Sequence, residues 1–265
     1  MHRRVCAVFV LALGLPVGAA AAERMTDEQV KKHVQDIDAG FDTWKQSLEK
    51  RNLDDAVITS AERSIKVKDF LKDFEKSIDA VKDRFRPDYA ATQEVLALLR
   101  LGSDVELRNR RQNLTPDSTW AALSAKLATL AHVYAVPWPI EDMNARPSRL
   151  NDSELATRVE QMEQAAKRLR DDAEKAAKAN KAIDKPSRES LKGEIQQLEQ
   201  MAKGVRSRIK DDMPASVEVG QLFSQVGKVR DTLTKLSLSS AEQASWRGLE
   251  PGIDALALAF DLPKP

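Results

Sequence analysis

One apolar phrase occurs twice in this chain, and it restricts the fold more than any other feature. Trp120, Leu123, Leu127, Leu130, Tyr134, Val136 and Pro137 return as Trp246, Leu249, Ile253, Leu256, Phe260, Leu262 and Pro263, each 126 positions later. The alternating steps of three and four put these apolar residues on one stripe of a helix.

The duplication extends toward the N-terminus. Val30, Val34, Ile37, Phe41, Trp44 and Leu48 have the spacing of Leu155, Val159, Met162, Ala166, Leu169 and Ala173, 125 positions on. Each stripe opens on a capping box, Thr26 with Gln29 and Asn151 with Glu154. Each box carries a hydrophobic staple, Met25 with Val30 and Leu150 with Leu155. A second helix pair follows 124 positions apart: Leu71, Phe74, Ile78, Val81, Phe85 and then Ile195, Leu198, Ala202, Val205, Ile209.

Between the first and second helices the breaks fall at Arg51–Asp54 and at Ile183–Pro186, and proline suits a new first turn. Pro87 and Pro214 close the second helices. A third helix is expected over 88–112, through Val95, Leu98, Leu101 and Val105, with Gly102 as its weak point. Its counterpart over 215–236 carries Val219, Leu222, Val226, Val229, Leu233 and Leu236, and no single offset aligns this pair. The fourth helix should start at Thr115-Pro116-Asp117, with Thr115 as cap, and its copy at Ser239 or Ser240 with Glu242 or Gln243.

The fold class that follows is all-α: two tandem up-down four-helix bundles, an internal repeat of about 125 residues, after an N-terminal signal peptide. The domains are 1–22 signal peptide, 23–137 first repeat, 138–149 linker and 150–265 second repeat. A continuous eight-helix array with one shared core is the alternative architecture. No alternating β-branched run bounded by turn signals argues for strands. With 31% charged residues and 5% aromatics, the chain is rich in helix formers and poor in sheet formers.

Residues 1–22 read as an export signal. His2, Arg3 and Arg4 are basic, Val5 to Leu15 is apolar, and Ala20-Ala21-Ala22 offers a cleavage site before Glu23. The apolar stretch is short and interrupted for a membrane span. Cys6 lies at the start of that stretch, not just after it, and is misplaced for lipoprotein attachment. Cleavage takes away this only cysteine and two arginines, leaving 40 basic against 41 acidic residues. A near-neutral chain has no electrostatic draw to nucleic acid, and without cysteine it has no disulfide, thiolate or Cys metal ligand.

Candidate chemistry is sparse. His33 and His132 are the histidines outside the signal, near ends of the first and fourth helices that an up-down bundle brings together. With Asp36 or Glu141 they could form a small metal site; beside the stripes, the ordinary reading is solvated histidine. No metal, cofactor or catalytic residue is assigned. Covalent haem needs C-x-x-C-H, which is absent, and Met162 and Met201 read as core filler. Val30 and Thr129, three residues before the histidines, exclude the E-x-x-H di-iron pattern. There is no G-x-G-x-x-G, P-loop or G-x-S-x-G motif.

Trp44, Trp120 and Trp246 belong to stripes, whereas Trp138 lies between Pro137 and Pro139 in the linker and should tuck between the bundles. Arg108, Arg110 and Arg111 favour a helix C-terminus. Residues 165–185 read as a long helix with a thin apolar face, solvated or presented to a partner. The function expected is a non-catalytic exported scaffold that binds another protein in the periplasm, without nucleic acid and without stable membrane insertion after cleavage. The alternative is small-ligand, metal or haem binding in a bundle core.

Overall fold

A computed structural model describes residues 24–53, 55–59, 64–113, 115–236 and 245–265. The signal segment and the expected start at Ser239 or Ser240 lie outside these residues. Among the described residues the chain forms eight helices and one short hairpin. In order these are α1 (Asp27–Lys50), β1 (Val57–Thr59), β2 (Ser64–Lys66), α2 (Val67–Arg84), α3 (Thr92–Arg111) and α4 (Ser118–Val133). Then come α5 (Asp152–Ala179), α6 (Lys185–Lys210), α7 (Ser216–Lys235) and α8 (Glu250–Ala259).

Both capping boxes form, and Asp184 caps α6 with Pro186 in its first turn. Five helices end on a C′ residue with positive φ: Asn52, Asn113, Ala135, Asp212 and Asp261. Asn and Asp tolerate the left-handed region, so they close the helices here without glycine. Four of these ends carry the long Schellman hydrogen bond, such as Val136 N to Ala131 O and Leu262 N to Ala257 O, both at 3.0 Å.

Two separate hydrophobic clusters result. The first takes the stripes of α1–α4, and the second those of α5–α8. In the first half, α1 packs on α2 and α4, and α3 on α2 and α4. In the second, α5 packs on α6 and α8, and α6 on α7. The first core is aromatic: Phe74 stacks on Phe41 at 5.1 Å and also meets Trp44 and Phe70, while Trp44 meets Trp120 at 4.7 Å. The second core is built on small residues, with Ala166, Ala173 and Ala202 buried where α5 and α6 face each other.

Several expectations need correction. The segment after α1 contains strands: Val57 pairs with Lys66, Ile58 with Ile65 and Thr59 with Ser64, antiparallel. Its β-branched residues were too few to register as alternation. The third helix starts at Thr92, because Arg86 and Tyr89 close a turn after Pro87 and Ala91 is left-handed. The helix runs through Gly102 without a break, and Leu96 and Leu99 are buried while Leu101 and Val105 are only half-buried. Asp117, not Thr115, caps α4, accepting from the Thr119 and Trp120 amides at 2.9 Å. In the C-terminal half, Trp246 and Leu249 precede α8, which has Pro251 in its first turn. Residues 165–179 are no lone solvated helix, since Ala165, Leu169, Ala173 and Ala177 are buried along α5.

Trp138 also departs from expectation. It tucks into the first half rather than between the halves. Its Nε1 donates to Ser124 Oγ at 3.3 Å, Ser124 donates to Glu106 at 2.9 Å, and Trp120 Nε1 donates to the same Glu106 oxygen at 3.2 Å. Gly102 makes room for that ring: a Cβ there would lie 2.8 Å from Trp138 and 2.7 Å from Leu127. Gly102→Val is therefore expected to cost about 1–3 kcal/mol through overpacking, although valine suits a helix better than glycine does. Trp fluorescence and urea unfolding would check this, and an unchanged midpoint would mean the ring is not seated there.

The α5–α6 pair is laced by charges. Glu174 accepts from Lys178 at 2.7 Å and pairs with Lys192 at 3.1 Å. These lysines hold its carboxyl down to about 2 from an ordinary 4.5. A depressed carboxyl contributes stability above its unfolded value and loses it as pH falls from about 4.5 toward 2. The carboxyl is partly exposed and both lysines are exposed, so solvent screens the pairs and the effect on stability is small. NMR titration of the Glu174 carboxyl should place it near 2, with Lys192→Met moving it up; titration at the ordinary value would mean the pairs do not form.

Candidate functional site

The feature that sets this chain apart is the joint where its halves meet. Arg24-Met25-Thr26-Asp27 begins α1, and Arg149-Leu150-Asn151-Asp152 begins α5, 125 positions later. Thr26 and Asn151 cap their own helices, which leaves the aspartates at the first helical position free to reach outward. Each reaches the other helix. The Asp27 amide donates to Asp152 Oδ2 at 2.6 Å, and the Asp152 amide donates to Asp27 Oδ2 at 2.8 Å.

The arginines repeat the exchange. Arg24 pairs with Asp152 and donates to the Leu150 carbonyl at 2.8 Å. Arg149 pairs with Asp27 at 2.6 Å and donates to the Met25 carbonyl at 3.1 Å. Every contact has a mate 125 positions away, which is the pattern of a self-complementary, twofold interface. Two helix N-termini face one another here, and a carboxylate on each offsets the positive end of its neighbour.

The joint is substantially dry. The Arg149 side chain is 2% exposed and that of Asp27 13%. Burial and repulsion from Arg149 push the Arg24 guanidinium below its ordinary value, while Asp152 works in the other direction. The Arg149 guanidinium sits 5.9 Å from the centre of the Tyr134 ring. Burial pushes the Tyr134 hydroxyl up, so it stays a neutral donor, bonding the Ala90 carbonyl at 2.6 Å.

Two clefts flank the quartet. One of about 700 Å³ is lined by Arg24, Arg149, Met25, His132, Leu258 and Phe260. The other, about 280 Å³, is lined by Asp27, Asp152, Phe85, Ile209, Lys31 and Asp212. In it the Asp212 carboxyl is pushed up by burial and by repulsion from Asp152, Asp27 and Glu28. The larger cleft sets apolar walls from Leu258 and Phe260 beside the paired arginines and the exposed His132.

The candidate ligand residues are placed separately. His33 Nε2–H donates to the Lys126 carbonyl at 2.9 Å, while His132 is exposed on the wall of the larger cleft. The Asp36 carbonyl accepts from Lys126 Nζ at 2.5 Å, and Glu141 is exposed. Among the described residues no group of three or more His, Cys, Asp or Glu is arranged to hold a metal, and no helix is long and apolar enough to cross a membrane. Met162 is buried in the second core and Met201 packs against it. Sequence reasoning missed the quartet, although its R-x-x-D signal runs into each capping box at the offset already found.

Comparison with family models, with characterised proteins and with solved structures finds no match for this chain.

Proposed function

We propose that this chain is an exported, non-catalytic scaffold made of two copies of one four-helix unit, and that it binds another protein in the periplasm. The observation that carries the reading is the reciprocal exchange between Asp27 and Asp152 at the same 125-residue spacing as the helix stripes. Duplicated units joined head to head make a spacer whose surfaces occur in pairs. The arginines and aspartates at its centre are engaged in holding the units together. Leu258, half-exposed on the wall of the larger cleft, gives a partner an apolar contact. Cleavage after Ala22 would start the mature chain at Glu23, one residue before Arg24, which crosses the joint.

The cleft volume favours one second reading, since about 700 Å³ lies within the range of small-ligand sites. Photo-cross-linking in the periplasm from position 258, with mass spectrometry of the purified protein, separates the two. The scaffold reading expects a mature chain beginning at Glu23, one cross-linked protein band and no small adduct. A bound small molecule or metal, with no cross-linked protein, would replace it.

A further inference from the structure

The joint has the construction of a pivot. The two hydrophobic clusters are separate, one confined to α1–α4 with its flanking segments and the other to α5–α8 with theirs. Among the described residues, Arg24, Asp27, Arg149 and Asp152 make hydrogen bonds and ion pairs across the halves, to each other and to the Met25 and Leu150 carbonyls. Segments joined without a large hydrophobic interface move relative to one another by default.

Open space lies on both sides of this contact. The arginines line the larger cleft and the aspartates the smaller one. We propose that the two halves rock about the Asp27–Asp152 contact, so that one cleft widens as the other narrows. Rocking keeps the two amide–carboxylate bonds at the pivot, whereas separating the halves would break these together with the arginine pairs. Turning about this contact leaves both hydrophobic cores intact, because each lies within its own half, and asks only the arginine pairs and the cleft walls to shift. Hinge motion of this kind needs only a few residues at the ends of elements to adjust. It makes each cleft a control on the other, since whatever fills one selects the tilt that closes its opposite. The inference does not depend on the function proposed above.

The test is double electron–electron resonance on the full chain with Cys6 replaced by serine, so that introduced cysteines are the sole labelling sites. One pair, at 132 and 258, spans the larger cleft; the other, at 31 and 210, spans the smaller one. Rocking predicts broad or two-component distributions for both pairs. Asp27→Asn should shift them in opposite directions, one pair lengthening while the other shortens. Arg24→Gln keeps the Arg149–Asp27 pair and should give the same opposite shifts at smaller amplitude, with circular dichroism confirming intact helices in each. Single narrow distributions that neither substitution changes would overturn the proposal. So would both pairs lengthening together, which is separation.

Discussion

Asp27→Ala is expected to weaken this protein by about 3–5 kcal/mol, the cost of stranding a buried charge. The substitution removes the carboxylate that pairs with Arg149, whose side chain is 2% exposed, and the acceptor for the Asp152 amide. Arg149→Met in the same chain should recover part of that loss, because an apolar side chain leaves no unpaired cation in the joint. The doubly substituted protein should then be more stable than Asp27→Ala alone, despite losing the Tyr134 contact as well. Urea unfolding followed by far-ultraviolet circular dichroism reads all four corners of the cycle. Additive losses would mean that the two residues do not act as a pair.

Phe74→Ala should be comparably damaging, for a different reason. Phe74 is fully buried and has the rings of Phe41, Trp44 and Phe70 around it at 5.1, 6.2 and 6.0 Å. Rigid aromatic neighbours cannot collapse into the space left, so the loss should fall in the range of about 3–5 kcal/mol found for buried phenylalanine. The effect should be confined to the first half, because Phe74 belongs to that cluster alone. The signals of Trp44 and Trp120 should report an earlier transition, with the α5–α8 helicity retained. A loss below about 1 kcal/mol would contradict the packing described.

What could be read from the sequence was what is local. The stripes of α1, α2, α4, α5, α6 and α7 and both capping boxes depend on residues three or four apart, and they appear as expected. Helix ends were harder, because Asn52, Asn113, Asp212 and Asp261 occupy the left-handed position where a search for glycine finds nothing. The cap of α4 stands two residues beyond the one expected, since Thr115 and Asp117 both flank Pro116 and only geometry selects between them. The hairpin of Val57–Thr59 with Ser64–Lys66 was missed because three residues are too short for an alternating pattern.

The joint was legible in part. The 125-residue offset extends back through Arg24 and Arg149, and the repeated R-x-x-D was there to be found. That each aspartate would cap the other half's helix, rather than its own, depends on how the halves face one another. Local spacing carries no record of that. The same holds for Trp138, whose seat is made by Gly102, Ser124 and Leu127 of other elements.

Native-state hydrogen exchange in Asp27→Ala tests the reciprocal joint most directly. The amide of residue 152 loses its acceptor and must exchange faster in any event. The amide of residue 27 keeps its acceptor, Asp152, so it is the informative one. If the two halves are held by one cooperative exchange, protection at residue 27 falls along with that at residue 152, while the core amides of α2 and α6 stay slow. Undiminished protection at residue 27 would show that the two contacts are independent and contradict the reciprocal joint.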